Sequence, residues 1–116
     1  MNIEEVREYC MSLPYVEEDM PYGNNWVVFR IGGKIFLHIW LEAPIPTIAV
    51  KLLPERGEIL REEYNAFSPA YHLNKKHWND IFIEETFPSD MIQGWIKESY
   101  ELVKSKLPKN TLAKLA

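Results

Sequence analysis

Apolar positions near the start of the chain recur at helical spacing. Ile3, Val6, Cys10 and Leu13 fall three and four residues apart and form one buried stripe. Asn2 stands before them with Glu5 three residues on, the spacing of a capping box, and Pro14 ends the helix. The period then changes. Trp26–Ile31 is rich in strand formers, and Gly32-Gly33 predicts a tight hairpin because both positions accept positive φ. Residues 34–41 return antiparallel, Glu42-Ala43-Pro44 turns the chain, and residues 47–53 read as a third strand. Pro54 opens a second helix over residues 55–64, with Ile59 and Leu60 facing inward and most of its charges outward. Residues 14–25, with Pro14, Pro21, Gly23 and the acidic run Glu17-Glu18-Asp19, read as a linker.

Beyond residue 64 the pattern weakens. Ser68-Pro69 argues for a turn, and residues 80–84 for a strand with Ile81 and Ile83 on one face and Phe82 on the other. A long helix follows Pro88, its inner face traced by Ile92, Trp95 or Ile96, Ser99, Leu102 or Val103, and Lys106 or Leu107. Pro108 ends it. The expectation is one domain over residues 1–109 and a frayed tail over 110–116. Helices alternating with four to five short-turned strands predict an α+β fold, an antiparallel sheet with helices on one face.

Composition adds limits. The chain has 116 residues, 47% of them hydrophobic and 26% charged, enough for one core. A single cysteine excludes an internal disulfide; Cys10, on the buried stripe, reads as a small hydrophobe. With no cationic stretch followed by an apolar one at the N-terminus and no apolar run long enough to span a bilayer, the expected address is the cytoplasm. The net charge is −4, which argues against a strong nucleic-acid binder, but it is unevenly spread. Residues 1–63 hold 11 acids and 6 bases, whereas residues 64–116 hold 6 acids and 7 bases.

The densest polar and aromatic run is Tyr71-His72-Leu73-Asn74-Lys75-Lys76-His77-Trp78-Asn79. Lysine can meet a phosphate as a point charge, asparagine can read a base edge, and Tyr or Trp can stack on an exposed base. The same residues also suit architecture: Trp78 in the core, His72 and His77 capping loop carbonyls, the lysines solvated. Asn24-Asn25-Trp26 and Trp78-Asn79 could line one groove or be ordinary strand starts. His38, in an alternating strand, reads as a half-buried structural histidine. His38, His72 and His77 lack metal-ligand spacing, so no metal or cofactor is expected. No serine stands on a glycine-flanked elbow, and Gly32-Gly33-Lys34 lacks the rest of a phosphate-binding loop.

Several of these stretches together resemble the MmcQ/YjbR family of small bacterial proteins. The resemblance runs from Met1-Asn2-Ile3-Glu4-Glu5-Val6-Arg7-Glu8-Tyr9-Cys10 and Ser12-Leu13-Pro14 through Phe29, Gly32-Gly33-Lys34, Phe36 and Pro54-Glu55. It is most specific at Tyr71–Asn79 and continues through Ser99-Tyr100-Glu101-Leu102-Val103 and Lys106-Leu107-Pro108-Lys109. One departure is Tyr15, where the family often has glycine. The resemblance implies a compact α+β domain similar to the frataxin-like arrangement, and a DNA-binding role without catalysis. On that expectation Lys75 and Lys76 contact phosphates with help from Lys106 and Lys109. His72, Asn74, His77 and Asn79 touch the nucleic acid or orient the loop, and Trp78 and Tyr71 stack or anchor. Two other functions stay open. The aromatic content of 13% also suits a protein-interaction or small-ligand-binding domain. An enzyme would need His72 or His77 in a concavity beside a carboxylate such as Asp80.

Overall fold

The computed structural model describes residues 1–83 and 86–115. Helix α1 (Ile3–Ser12) leads into strand β1 (Val16–Asp19), then β2 (Trp26–Ile31), β3 (Lys34–Trp40) and β4 (Thr47–Lys51). Helix α2 (Pro54–Glu63), β5 (Phe67–Pro69), β6 (Trp78–Phe82), α3 (Ser89–Ser105) and α4 (Lys109–Leu115) follow. The six strands form one antiparallel sheet in the order β1-β2-β3-β4-β6-β5, with the helices on one face.

The local signals act as their chemistry requires. Asn2 accepts from the Glu5 amide while the Glu5 carboxylate accepts from the Asn2 amide, closing the capping box. Gly32 and Gly33 both take positive φ at the hairpin. Gly32 is doubly required, since a Cβ there would stand 2.6 Å from a Leu107 methyl.

The linker expected over residues 14–25 contains β1, which pairs with β2 from Val16 opposite Ile31 to Asp19 opposite Val28. Its acids are held by cations of neighbouring elements. Glu18 accepts from Arg7 of α1, and Asp19 from Arg30 of β2 at 3.3 Å. Ser68-Pro69 belongs to β5 rather than a turn; a proline is tolerated there because the strand is at the sheet edge. These two edge strands account for six strands where four to five were expected. Ile59 points outward, 55% exposed, while Leu60 is buried. The C-terminal segment forms α4 instead of fraying, with Leu112 and Leu115 packed against the core. Glu84, expected to end the β6 strand, and Ala116, at the end of the tail, lie outside the described residues.

The core fills the space between sheet and helices. Strand alternation sends Phe29 and Ile31 of β2, Leu37 and Ile39 of β3, Ile48 and Val50 of β4 and Ile81 of β6 to the helical side. A register shift beside Phe29 makes Phe36 an extra residue in β3, and it also joins the core. The backbone carbonyl freed there is satisfied from α3. Ser99 Oγ donates to Phe36 O at 2.6 Å and accepts from the Lys51 amide at 2.8 Å, tying β3 and β4 to the helix. Trp95 packs edge-on against Phe67 and Phe87 in the same core.

Candidate functional site

What the core leaves behind determines the opposite face. Because side chains alternate, Trp26 and Val28, His38 and Trp40, Thr47, Ala49 and Lys51, and Trp78, Asp80 and Phe82 all project away from the helices. Three of the four tryptophans therefore stand on the helix-free face, around His38. The His38 imidazole meets the Trp78 ring edge-on with centroids 4.8 Å apart, and meets the Trp26 ring edge-on at 6.0 Å. Trp26 and Trp40 stack at 5.9 Å.

The loop between β5 and β6 folds over this face. Tyr71 N–H donates to Asp80 Oδ2 at 3.2 Å, and the His72 ring lies edge-on to Trp40 at 5.1 Å and to Trp26 at 5.5 Å. Asn74 braces the turn: its side chain accepts from the Lys76 amide and its carbonyl from the Trp78 amide, both at 2.9 Å. Lys75 Nζ donates to the carbonyls of Ala70 at 3.1 Å and Tyr71 at 3.0 Å and sits over the Tyr71 ring. Lys75 thus clamps the loop through its backbone carbonyls, although it is exposed like Lys76 and Tyr71.

Under the loop, Tyr22, Trp26, His38, His72 and Leu73 line a cleft of about 340 Å³. It adjoins a groove of about 460 Å³ that shares Tyr22, His38 and Leu73 and is completed by Lys34, Ile35, Lys51, Trp78, Val103 and Lys106. The two together contain three lysines and, among the described residues, no carboxylate, although the chain is acidic overall. None of the three lysines forms an ion pair among the described residues. A groove beside α1 and β1 contrasts with it, being bordered by Glu4, Glu18 and Asp19.

His38 is buried rather than half-buried, at 3% exposure, and its Nδ1 has no hydrogen-bond partner among the described residues. Burial, helped by the Arg30 guanidinium, pushes its pKa down to about 4, so the ring is neutral at neutral pH. Asp80 is raised by its burial beneath the loop, an effect opposed by the Tyr71 N–H and by the nearby His72 and Lys75. Cys10 is buried in the core and its thiol is pushed well up by burial. No group of three or more potential metal ligands occurs among the described residues.

The sequence-predicted residues thus divide. His72, Trp78 and Lys106 border the cleft and groove, Tyr71, Lys75 and Asn74 build the loop over them, and Lys76 projects from that loop. His77 is half-buried, and its carbonyl accepts from the Leu52 amide at 2.9 Å. Lys109 is exposed at the start of α4 and lines neither concavity. Asn79 is the correction: it faces the helices, 1% exposed, where its Oδ1 accepts from Arg61 and its side chain packs against Gly57. Adjacent strand residues face opposite ways, so Trp78 and Asn79 cannot share a groove. Trp26 and Trp78 do meet, through His38. Sequence reasoning missed Tyr22, Lys34, Lys51 and the contribution of His38. Period-two alternation already placed His38 with Trp40, but the strand register that brings Lys51 and Trp78 beside them is non-local.

Comparison with known proteins gives one answer. The YjbR family model matches residues 11–102. The chain is 33% identical to protein YbdF of Escherichia coli O157:H7 over 106 residues, covering 91% of this chain and 87% of that one. It is 28% identical over 110 residues to protein YjbR of Escherichia coli K12, covering 93% and 92%. Among solved structures it is similar to Deinococcus radiodurans protein DR2400, described by the family-model domain DUF419. That match has a TM-score of 0.90 at 29% identity and covers 98% of this chain and 87% of that one. A Pseudomonas syringae protein shares the fold, with a TM-score of 0.76 at 23% identity over 88% of this chain and 98% of that one. Among the described residues, no helix is long and apolar enough to cross a membrane.

Proposed function

The chain belongs to the YjbR family, and we propose that it is a non-catalytic nucleic-acid-binding protein that takes an unpaired strand across the helix-free face of its sheet to the C-terminal end of α3. The observation that carries this reading is the gathering of Trp26, His38, His72 and Trp78 beside Lys34, Lys51 and Lys106. Bases released from a duplex expose flat faces, and a concave aromatic floor offers them stacking partners. A duplex hides those faces and would use only the charges. Lys106 contacts phosphate from the groove and Lys76 from the loop tip, with Lys109 extending the path along α4. His72 and Trp78 offer ring faces and edges, Tyr71 adds an exposed ring, and His77 borders the loop. In this reading Asn74 and Lys75 hold the loop in shape, and Asn79 supports the strand from behind.

The test is fluorescence anisotropy with labelled single-stranded and blunt duplex 20-mers at low and physiological salt, using wild type and a Lys76→Gln/Lys106→Gln variant. The expected result is single-strand binding at low salt, weaker duplex binding, and a loss of about tenfold in the variant. No single-strand binding at low salt, or a preference for the duplex, would overturn the reading.

A further inference from the structure

Tyr22 and His38 form an unusual pair. Their rings are parallel within 7°, with centroids 6.4 Å apart, and both residues border the cleft and the groove. Trp26, His72 and Leu73 complete the cleft beside this pair. The two rings differ in exposure. His38 is fixed in the sheet between Val28 of β2 and Ala49 of β4, whereas Tyr22 is 60% exposed on the connection between β1 and β2. Tyr22 is no part of the core, so its exposed ring is available to a ligand. Yet an exposed tyrosine ring is held over a buried imidazole whose Nδ1 lacks a hydrogen-bond partner among the described residues. A buried polar atom left in that condition calls for a structural or functional reason.

The surroundings narrow the occupant. The walls are rings, which suits a planar ligand. Three lysines border the adjoining groove without a carboxylate among the described lining residues, which suits an anionic one. His38 is buried and uncharged at neutral pH, so beneath Tyr22 it places an aromatic ring and not a cation. A flat heterocycle joined to a phosphate by a short linker satisfies all three conditions, and that is the chemistry of a nucleotide.

We propose that the cleft bordered by Tyr22, Trp26, His38 and His72 is a subsite for a single nucleobase, which stacks on the exposed Tyr22 ring, with the attached phosphate held by Lys34, Lys51 and Lys106. The subsite deepens the strand-binding reading and rests on it for the source of the nucleotide. The same chemistry is supplied by a free nucleoside monophosphate or by one unpaired nucleotide within a strand.

Calorimetry and tryptophan fluorescence with adenosine 5′-monophosphate, adenosine, inorganic phosphate and oligodeoxyadenylate of ten residues test it on the full chain. The expected result is saturable binding of the monophosphate, weaker binding of adenosine and of phosphate alone, and quenching of tryptophan emission. Tyr22→Leu should weaken the monophosphate and the ten-mer by about tenfold, and Tyr22→Phe should restore both to within about twofold. A Lys51→Gln/Lys106→Gln variant should weaken the monophosphate while changing adenosine by less than about twofold. Tyr22 is exposed, so its variants retain the fold, which circular dichroism checks. A ten-mer binding much more tightly than the monophosphate identifies the strand as the source, and equal affinities identify the free nucleotide. If the ten-mer binds but the monophosphate does not, or if Tyr22→Leu changes neither, the subsite is overturned and strand binding stands. If the monophosphate binds in the expected way and the ten-mer does not, the strand-binding reading falls and the subsite stands. If neither binds, both fall.

Discussion

His38 makes folding stability depend on pH in a window where few other side chains titrate. Its pKa is pushed down to about 4 in the folded protein, against an ordinary value of 6.5 in the unfolded chain. The unfolded state therefore takes up a proton that the folded state refuses. The stabilisation is present above pH 6.5 and is lost as pH falls toward 4. Between pH 7 and pH 5 linkage predicts a loss of about 2 kcal/mol, and the full shift corresponds to about 3 kcal/mol. Glu18, held down by its hydrogen bond to Arg7, begins to contribute only at lower pH. Asp80, raised by burial, acts in the opposite sense and gains stability as pH falls. A His38→Phe variant removes the imidazole and leaves these groups in place, so the difference between the two proteins isolates one residue. The assay is urea unfolding at pH 7, 6 and 5. Wild type should lose roughly 1–2 M in midpoint across this range while the variant stays flat. A flat wild-type profile, or the same loss in the variant, would refute the argument that burial holds His38 neutral.

Other substitutions test other parts of the account. Ser99→Ala leaves the Phe36 carbonyl and the Lys51 amide without their shared partner and should cost about 2 kcal/mol, read as a fall of about 10 °C in thermal midpoint. Gly57→Ala would raise helix propensity by about 1 kcal/mol at an open site, but here the new Cβ lies 3.0 Å from Asn79 Oδ1 and from Arg61 Nη1. The expected result is net destabilisation of about 1 kcal/mol on chemical unfolding, and a stabilised variant would show that the Asn79 contact gives way easily. For the proposed strand complex, three phosphate contacts predict a slope of log K against log salt of about −2, or a loss of about twentyfold between 50 and 200 mM. Lys106→Gln should flatten that slope by about 0.7, measurable by anisotropy across a salt series.

The chain by itself determined the local elements, because their causes are local. A capping box at Asn2 and Glu5, a double glycine, a proline at the start of each of two helices and alternation through β2 to β4 all act within a few residues. Strand β1 was not legible because its residues are acidic and bracketed by turn formers. It becomes a strand through pairing with β2 and through Arg7 and Arg30, partners outside the segment. The loop residues at Tyr71–Asn79 could be singled out by composition, but not their orientations. Antiparallel pairing of β6 with β4 turns Trp78 and Asp80 to the open face and Asn79 to the helices. Lys75 could be named as a cation from its residue type; only the path of the loop decided that it would bind the carbonyls of Ala70 and Tyr71. Tertiary structure likewise brought Lys34, Lys51 and Lys106 to one groove from a hairpin, a strand end and a helix end. The physical reason is that side-chain alternation is a property of the chain, whereas strand register and helix placement are settled by how the whole core closes.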